Sequence, residues 1–171
     1  MAGDAITVDY TPLPDDLIQA LNQYRPKVVQ FSGHGDPTGQ LIFVDEAGYP
    51  APISASALRA VFAALKDNVR LVILNACYTT EQAGAIGEVV DCIISMSDAL
   101  SDKAAIAFIA SFYRALGFGR SLQNAFDQAV AAIELQGLAE QTIPQLLARP
   151  EIDPAQIILV APDLLAEDRQ T

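Results

Sequence analysis

The sequence predicts an α/β domain in which a mostly parallel sheet is covered by helices on both faces. Short, nearly continuous apolar runs recur at KVVQFSG (27–33), RLVILNA (70–76) and CIISM (92–96), which is the composition of strands buried on both faces of a parallel sheet. Longer segments with apolar residues at helical spacing separate these runs, and strand–helix alternation is how parallel strands are connected. The third observation is size. A chain of 171 residues, 51% of them apolar, suffices for one domain with a sizeable core. No repeat, low-complexity tract or linker divides it, so residues 1–171 read as a single domain, with 1–4 and 163–171 expected to be mobile.

In chain order, AITVDY (5–10) reads as a strand. PDDLIQALNQY (14–24) reads as a helix, with Pro14 near its start and Asp15 and Asp16 in its first turn, where carboxylates suit the positive helix end. After the first buried run, LIFVDEAGYPAPI (41–53) joins a short strand to turn residues and is expected to be a hairpin outside the main sheet. SASALRAVFAALKDN (54–68) is a helix, because Leu58, Val61, Phe62 and Leu65 recur at helical spacing, and Ser54 or Ser56 is its cap. TEQAGAIGEVV (80–90) is a helix opened by a capping box from Thr79 to Gln82. Two helices follow CIISM, about 102–116 and 121–136, split by a turn at Gly117–Gly119. QIILVAP (156–162) is expected to be the last strand.

Charge excludes some functions. The net charge is −11 and the ten basic residues form no cluster, so phosphate-backbone binding to nucleic acid is not expected. The apolar stretch AAIAFIASFY (104–113) is about half of a membrane span, and the N-terminus lacks the pattern of a secretory signal. The expectation is a soluble, cytoplasmic protein without membrane partners. One histidine and two cysteines without a CxxC spacing argue against a disulfide framework, a zinc site or any metal cofactor.

The candidate chemistry lies at two strand ends. His34, the only histidine, stands between two glycines just past the first buried run, and Cys77 stands just past the second. Catalytic groups of open α/β sheets collect at the carboxyl ends of the strands, so parallel neighbouring strands would present both side chains on one rim. Cys77 also precedes a helix start, whose positive end favours thiolate. The glycines around His34 let the backbone turn sharply, leaving the Gly35 N–H free to bind a developing oxyanion together with that of Cys77. A lone cysteine after a strand is ordinarily a small core residue; the coincidence of both groups at equivalent strand ends favours a dyad. Cys92, at the start of a buried strand, reads as structural.

With SGHG and NACYT in hand, the chain resembles the CHAT domains, caspase-like cysteine peptidases of the caspase, gingipain and separase clan. The resemblance runs from PDDLIQALNQYRPKVVQFSGHG, through LVILNACYTTEQAGAIGEVVDCIISM, to SDALSDKAAIAFIASFYRALGFGRSLQNAFDQAVAAIELQG. It implies a caspase-like fold and a dyad in which Cys77 is the nucleophile and His34 the general acid–base, with the Gly35 and Cys77 N–H groups as oxyanion hole. It implies a thioester intermediate, no cofactor, protein or peptide substrates, and control by a partner or fused module, often in bacterial defence. In this clan the pocket for the residue before the scissile bond lies near the nucleophile and in the loop after the next strand, here MSDALSD (96–102). Asp98 and Asp102 would make it acidic and select Arg or Lys, unless Asp98 is solvated and Ser101 or Asp102 caps the following helix. Asn75, two residues before the nucleophile, offers an amide where some relatives carry an acid. An extended peptide would add as a strand at the sheet edge, with the hairpin at 41–53 as a wall.

The sequence departs from the family pattern in two ways. Such folds usually begin with a strand and helix ahead of the segment matched by AITVDY, and the chain begins four residues before it. The expectation is therefore a fold lacking its usual first strand and helix. Either a neighbouring position beside the His34 strand is left to be filled, or AITVDY moves into it. Only about 14 residues separate Cys77 from CIISM and they read as helix, so activation by cutting a linker there is not expected. The competing functions are an inactive fragment or pseudopeptidase that binds a protein partner, and a small-molecule thiol hydrolase.

Overall fold

The computed structural model describes residues 14–38 and 40–161. The elements are α1 (Pro14–Tyr24), β1 (Val28–Ser32), β2 (His34–Gly35), β3 (Leu41–Val44), β4 (Pro50–Ile53), α2 (Ala55–Leu65), β5 (Leu71–Asn75), α3 (Thr80–Gly87), β6 (Cys92–Met96), α4 (Asp102–Gly117), α5 (Leu122–Leu135) and β7 (Pro144–Ala148). The main sheet has the order β1-β5-β6-β7. Its first three strands are parallel and β7 is antiparallel to β6. A second sheet, β2-β3-β4, is antiparallel throughout. The molecule is thus the α/β architecture with a mostly parallel, helix-covered sheet that a caspase-like fold requires.

Alternation along the strands divides the interior in two. Leu71 and Ile73 of β5 and Cys92, Ile94 and Met96 of β6 face α4 and α5, packing with Phe108, Phe112, Leu122, Ala129 and Ile133. Val72 and Leu74 of β5 and Ile93 of β6 face the other way, against Leu17 and Leu21 of α1, Leu58 and Phe62 of α2, and Ala83 and Ile86 of α3. All five residues of β6 and the first four of β5 are buried, which is why both read as unbroken apolar runs. Three helices start at serines that act as caps: Ser54, Ser101 and Ser121 each accept the N–H three residues on, at 3.2 Å. Ser54 is therefore the α2 cap, and Ser56 donates to or accepts from it at 3.1 Å. Gly119, at φ +74°, makes the turn between α4 and α5.

β1, expected to be buried on both faces, is not: Gln30 and Ser32 are exposed and its other three residues half-buried, because among the described residues only β5 adjoins it in the main sheet. Two further expectations are corrected. QIILVAP does not form the last strand. Asp153 caps a 3₁₀ turn at Pro154–Gln156, Ile157 and Leu159 bury themselves in the core under α4 and α5, and one isolated bridge joins Ile158 to Ser121. The Ile157 carbonyl accepts the Leu122 N–H at 2.8 Å, so the apolar density of this segment seals the start of α5 and does not extend the sheet. The fourth strand is instead PQLLA, with proline at its first position, where a strand tolerates the missing N–H. The second correction concerns α3. It ends at Gly87, three residues before Val90, and Thr79 makes no side-chain cap; its hydroxyl is engaged elsewhere. The strand read at 5–10, and the segments 1–4 and 163–171, lie outside the described residues. No helix among the described residues is long and apolar enough to cross a membrane.

Phe108 is fully buried, stacked on Phe112 at 6.1 Å between ring centroids and edge-on to Phe126 at 5.8 Å. Its replacement by alanine should cost about 3–5 kcal/mol, the range for truncating a buried aromatic, read as a lower urea midpoint with an unchanged slope.

Candidate active site

Register brings the two candidate catalytic groups to one place. In the parallel β1/β5 ladder Ser32 lies opposite Asn75, so His34 and Cys77 each stand two residues beyond a matched pair. The Gly33 N–H donates to the Asn75 carbonyl at 3.4 Å, extending the contact past the ladder. One step further the two loops touch through their backbones. A Cβ added to Gly35 would overlap the Cys77 carbonyl oxygen and lie 3.3 Å from its carbonyl carbon. His34 is exposed, and Cys77 and Asn75 are half-buried. His34, Gly35, Asn75 and Cys77 are thereby assembled on one rim of the sheet.

The reason for the glycine differs from the turn the sequence suggested. Neither Gly33 nor Gly35 has a positive φ, and Gly33 has open space around it. Gly35 is required because its backbone lies against that of Cys77. It also belongs to β2, where His34 pairs with Ile42 and Gly35 with Leu41. The hairpin is thus the support of the His34 loop and not only a wall beside it. Asp36 closes that support, accepting from the Thr38 N–H at 3.0 Å, the Thr38 hydroxyl at 2.6 Å and the Gln40 N–H at 3.0 Å.

On the Cys77 side the chain leaves the sheet abruptly. The β5/β6 ladder stops at Ile73–Ile94, and Tyr78 follows Cys77 in the left-handed region at φ +57°. That conformation costs a bulky residue about 1–3 kcal/mol and persists only where surrounding contacts enforce it. Tyr78 is 42% exposed, so no burial of its ring explains the conformation, whereas the next residue, Thr79, is fully buried. Sequence reasoning took Thr79 for the start of a capping box, which it does not form, and did not mark Tyr78. Only an aromatic residue where a turn was due hinted at strain.

Asp98 and Asp102 lie one strand further along, in the connection from β6 to α4. The Asp98 carboxylate accepts the Ala99 N–H at 2.7 Å, and Asp102 sits in the first turn of α4; both are exposed. Ser101 is the cap of that helix. The connection is anchored from outside itself: the Ser97 N–H donates to the Ile143 carbonyl at 3.0 Å, and the Ser101 N–H and hydroxyl each donate to the Glu140 carboxylate at 2.7 Å. These bonds hold the Glu140 carboxyl below its ordinary pKa, the backbone N–H contributing most.

Cys92 has a different environment. It is fully buried at the foot of β6, and burial, with Asp91 beside it, raises its thiol to about 11. Asp91 is held there by Arg70 at 2.5 Å and Arg149 at 2.8 Å. A groove of about 430 Å³ between Ala83, Gly84 and Gly87 of α3 and Leu147 to Glu151 opens along the later turns of α3, away from the Cys77 end of that helix.

These features are those of an α/β domain with a thiol and an imidazole on adjoining strand-end loops. The chain is similar to proteins named as proteases. It is 28% identical over 126 residues to a Roc-COR-CHAT protease of an unknown prokaryotic organism, a match covering 70% of the chain and 12% of that protein. It is 26% identical over 133 residues to a probable protease of Gillisia limnaea, covering 75% of the chain and 24% of that protein. The chain thus spans about an eighth and a quarter of these relatives' lengths. No family model matches it.

Gly35→Ala should lower stability by about 1–3 kcal/mol, as overpacking does, and change the rate of Cys77 alkylation, while Gly33→Ala should do neither. Urea titration and timed iodoacetamide labelling read the two effects. A second expectation concerns pH. Because the folded-state pKa of Glu140 is lowered, its contribution is complete above the ordinary carboxylate pKa and is lost as pH falls through the lower folded value. The stability difference between wild type and Glu140→Gln should therefore be constant near neutrality and vanish in acid.

Proposed function

We propose that this chain is a cysteine endopeptidase domain of the CHAT type, acting through Cys77 and His34. The observation that carries the proposal is the meeting of the two strand-end loops, with Gly35 laid against the Cys77 backbone. The likeness to proteins named as proteases supports it.

In this reading the Cys77 thiolate attacks the scissile carbonyl carbon, forming a C–S bond and a tetrahedral oxyanion. The N–H groups of Gly35 and Cys77 receive that oxyanion. Collapse breaks the C–N bond, and His34 delivers a proton to the departing amine. Water, deprotonated by His34, then attacks the thioester; the carboxylic product leaves and the thiol is restored. No metal or other cofactor enters these steps. Asn75, Asp98 and Asp102 are assigned to the side chain preceding the cut; Ser101 caps α4 and both aspartates stand exposed, so a preference for Arg or Lys rests on the carboxylates turning to a bound peptide. The distribution of charge favours that preference. Glu81 opens α3 next to the Cys77 turn and Asp98 and Asp102 follow β6, whereas Arg70 and Arg149 lie at the opposite end of the strands, around Asp91. Carboxylates at this rim, although Lys103 directly follows Asp102, attract oppositely charged peptide. The relatives are several times longer than this chain, so control by a fused or separate partner, in a prokaryotic defence or signalling system, completes the proposal.

The test is labelling with peptidyl acyloxymethyl ketones whose leading residue is basic, acidic or apolar, with the adduct located by mass spectrometry. The expected result is an adduct at Cys77, strongest with the basic probe, absent in His34→Ala, and none at Cys92, whose thiol is held protonated. Equal labelling of both thiols, or none at Cys77, would overturn the dyad and leave a domain that binds a protein partner without cutting it.

A further inference from the structure

The turn that presents Cys77 is held by one residue. β5 stops pairing with β6 at Ile73–Ile94, although β6 continues to Met96. Had β5 run on, its backbone would have met the Met96 N–H and C=O. Thr79 takes both instead: its hydroxyl oxygen accepts the Met96 N–H at 3.1 Å, and its own N–H donates to the Met96 carbonyl at 3.1 Å. The hydroxyl proton has the Ala76 carbonyl at 3.3 Å and the Leu74 carbonyl at 3.4 Å within reach, and the Thr79 carbonyl accepts the first helical bond of α3 from Ala83 at 3.0 Å. The residue is fully buried. Between these anchors the chain has only Cys77 and Tyr78 in which to reverse, and Tyr78 does so in the left-handed region.

We infer that Thr79 is a positioning residue. By standing in for the missing strand backbone, it holds Tyr78 in a conformation a tyrosine does not adopt unaided, and so aims Cys77 toward the His34 loop. The inference rests on the reading of Cys77 and His34 as a dyad. It goes beyond that reading in assigning the geometry of the dyad to a side chain that touches neither substrate nor His34. Valine matches threonine in shape but can neither accept the Met96 N–H nor donate to a carbonyl, so Thr79→Val isolates the role of the hydroxyl. The link through Tyr78 makes a sharper demand: glycine adopts positive φ without penalty, so a glycine at 78 should keep the turn when the hydroxyl is gone.

The experiment measures the iodoacetamide alkylation rate of Cys77 at neutral pH, with Cys92 as internal control and thermal melting alongside. It compares wild type, His34→Ala, Thr79→Val, Thr79→Ser, Tyr78→Gly and Thr79→Val/Tyr78→Gly. Thr79→Val should slow Cys77 by roughly 10- to 100-fold, the effect of misplacing a reacting group by about 1 Å, towards the His34→Ala rate. Thr79→Ser and Tyr78→Gly should stay near wild type, and the double variant should recover most of the loss. If Thr79→Val melts earlier but labels Cys77 at the wild-type rate, the role is merely structural and the inference fails. It fails equally if glycine at 78 recovers nothing. Should the valine variant not fold, Thr79→Ser decides: a rate as low as that of His34→Ala overturns the inference. A His34→Ala rate equal to wild type would instead sink the dyad itself, leaving Thr79 to be judged on wild type against Thr79→Val alone.

Discussion

The two hydrogen bonds between Thr79 and Met96 are the constraint around which the rest of this structure is arranged. A buried parallel strand satisfies its backbone through its neighbours, and a strand that turns away to present a side chain leaves neighbouring groups without partners in a place water does not reach. β5 leaves the sheet at Asn75 to present Cys77, and the cost would fall on the end of β6. Thr79 removes it, at the expense of a left-handed tyrosine. Strain at a strand end, held by buried hydrogen bonds, is a frequent mark of a site where one atom must be aimed.

The partner loop is built on a different principle. His34 belongs to a three-stranded antiparallel sheet set against the main one. That small sheet is tied to the core through aromatic rings: Phe43 of β3 meets Phe31 of β1 edge-on at 5.8 Å, and Phe31 meets Phe62 of α2 at 6.4 Å. Asp36 fixes the loop that follows β2. Where the two principles meet, no side chain fits, and Gly35 lies directly on Cys77. The imidazole loop is therefore placed by ring packing together with the β2–β3 ladder and the Asp36 turn, the thiol loop by the bonds of Thr79, and their contact is backbone on backbone.

The opposite end of the sheet shows what the rim does without. There Asp91 is shared by Arg70 and Arg149, with Glu151 a further 3.3 Å partner of Arg149, and the half-buried carboxylate is matched by two guanidinium groups. Cys92 beside it is desolvated and its thiol raised. One chain thus holds two cysteines in contrasting surroundings. One is sealed at the foot of a strand; the other is half-buried on a strained turn against the loop that carries His34.

Much of this was legible in the amino-acid sequence. The β5 and β6 runs are buried on both faces, so their composition marks them unambiguously, and α1, α2, α4 and α5 announce themselves by helical spacing and, in two cases, by a candidate serine cap. The position of Cys77 follows from the β5 run and that of His34 from the β1 run, because what lies just past a parallel strand lies on the rim. β7 was missed because an edge strand opened by a proline carries little apolar signal, while QIILVAP, richer in β-branched residues, spends its Ile157 and Leu159 sealing a helix start. The sequence by itself thus determined the layers, the helices, the runs of β1, β5 and β6, and the placing of His34 and Cys77 just past two of those strands. Only the tertiary structure decided why Gly35 must be glycine and what Thr79 does, since both depend on contacts between segments distant along the chain: Gly35 on Cys77, and Thr79 on Met96. A pattern read along one strand records burial and periodicity; it carries no record of which backbone lies against it.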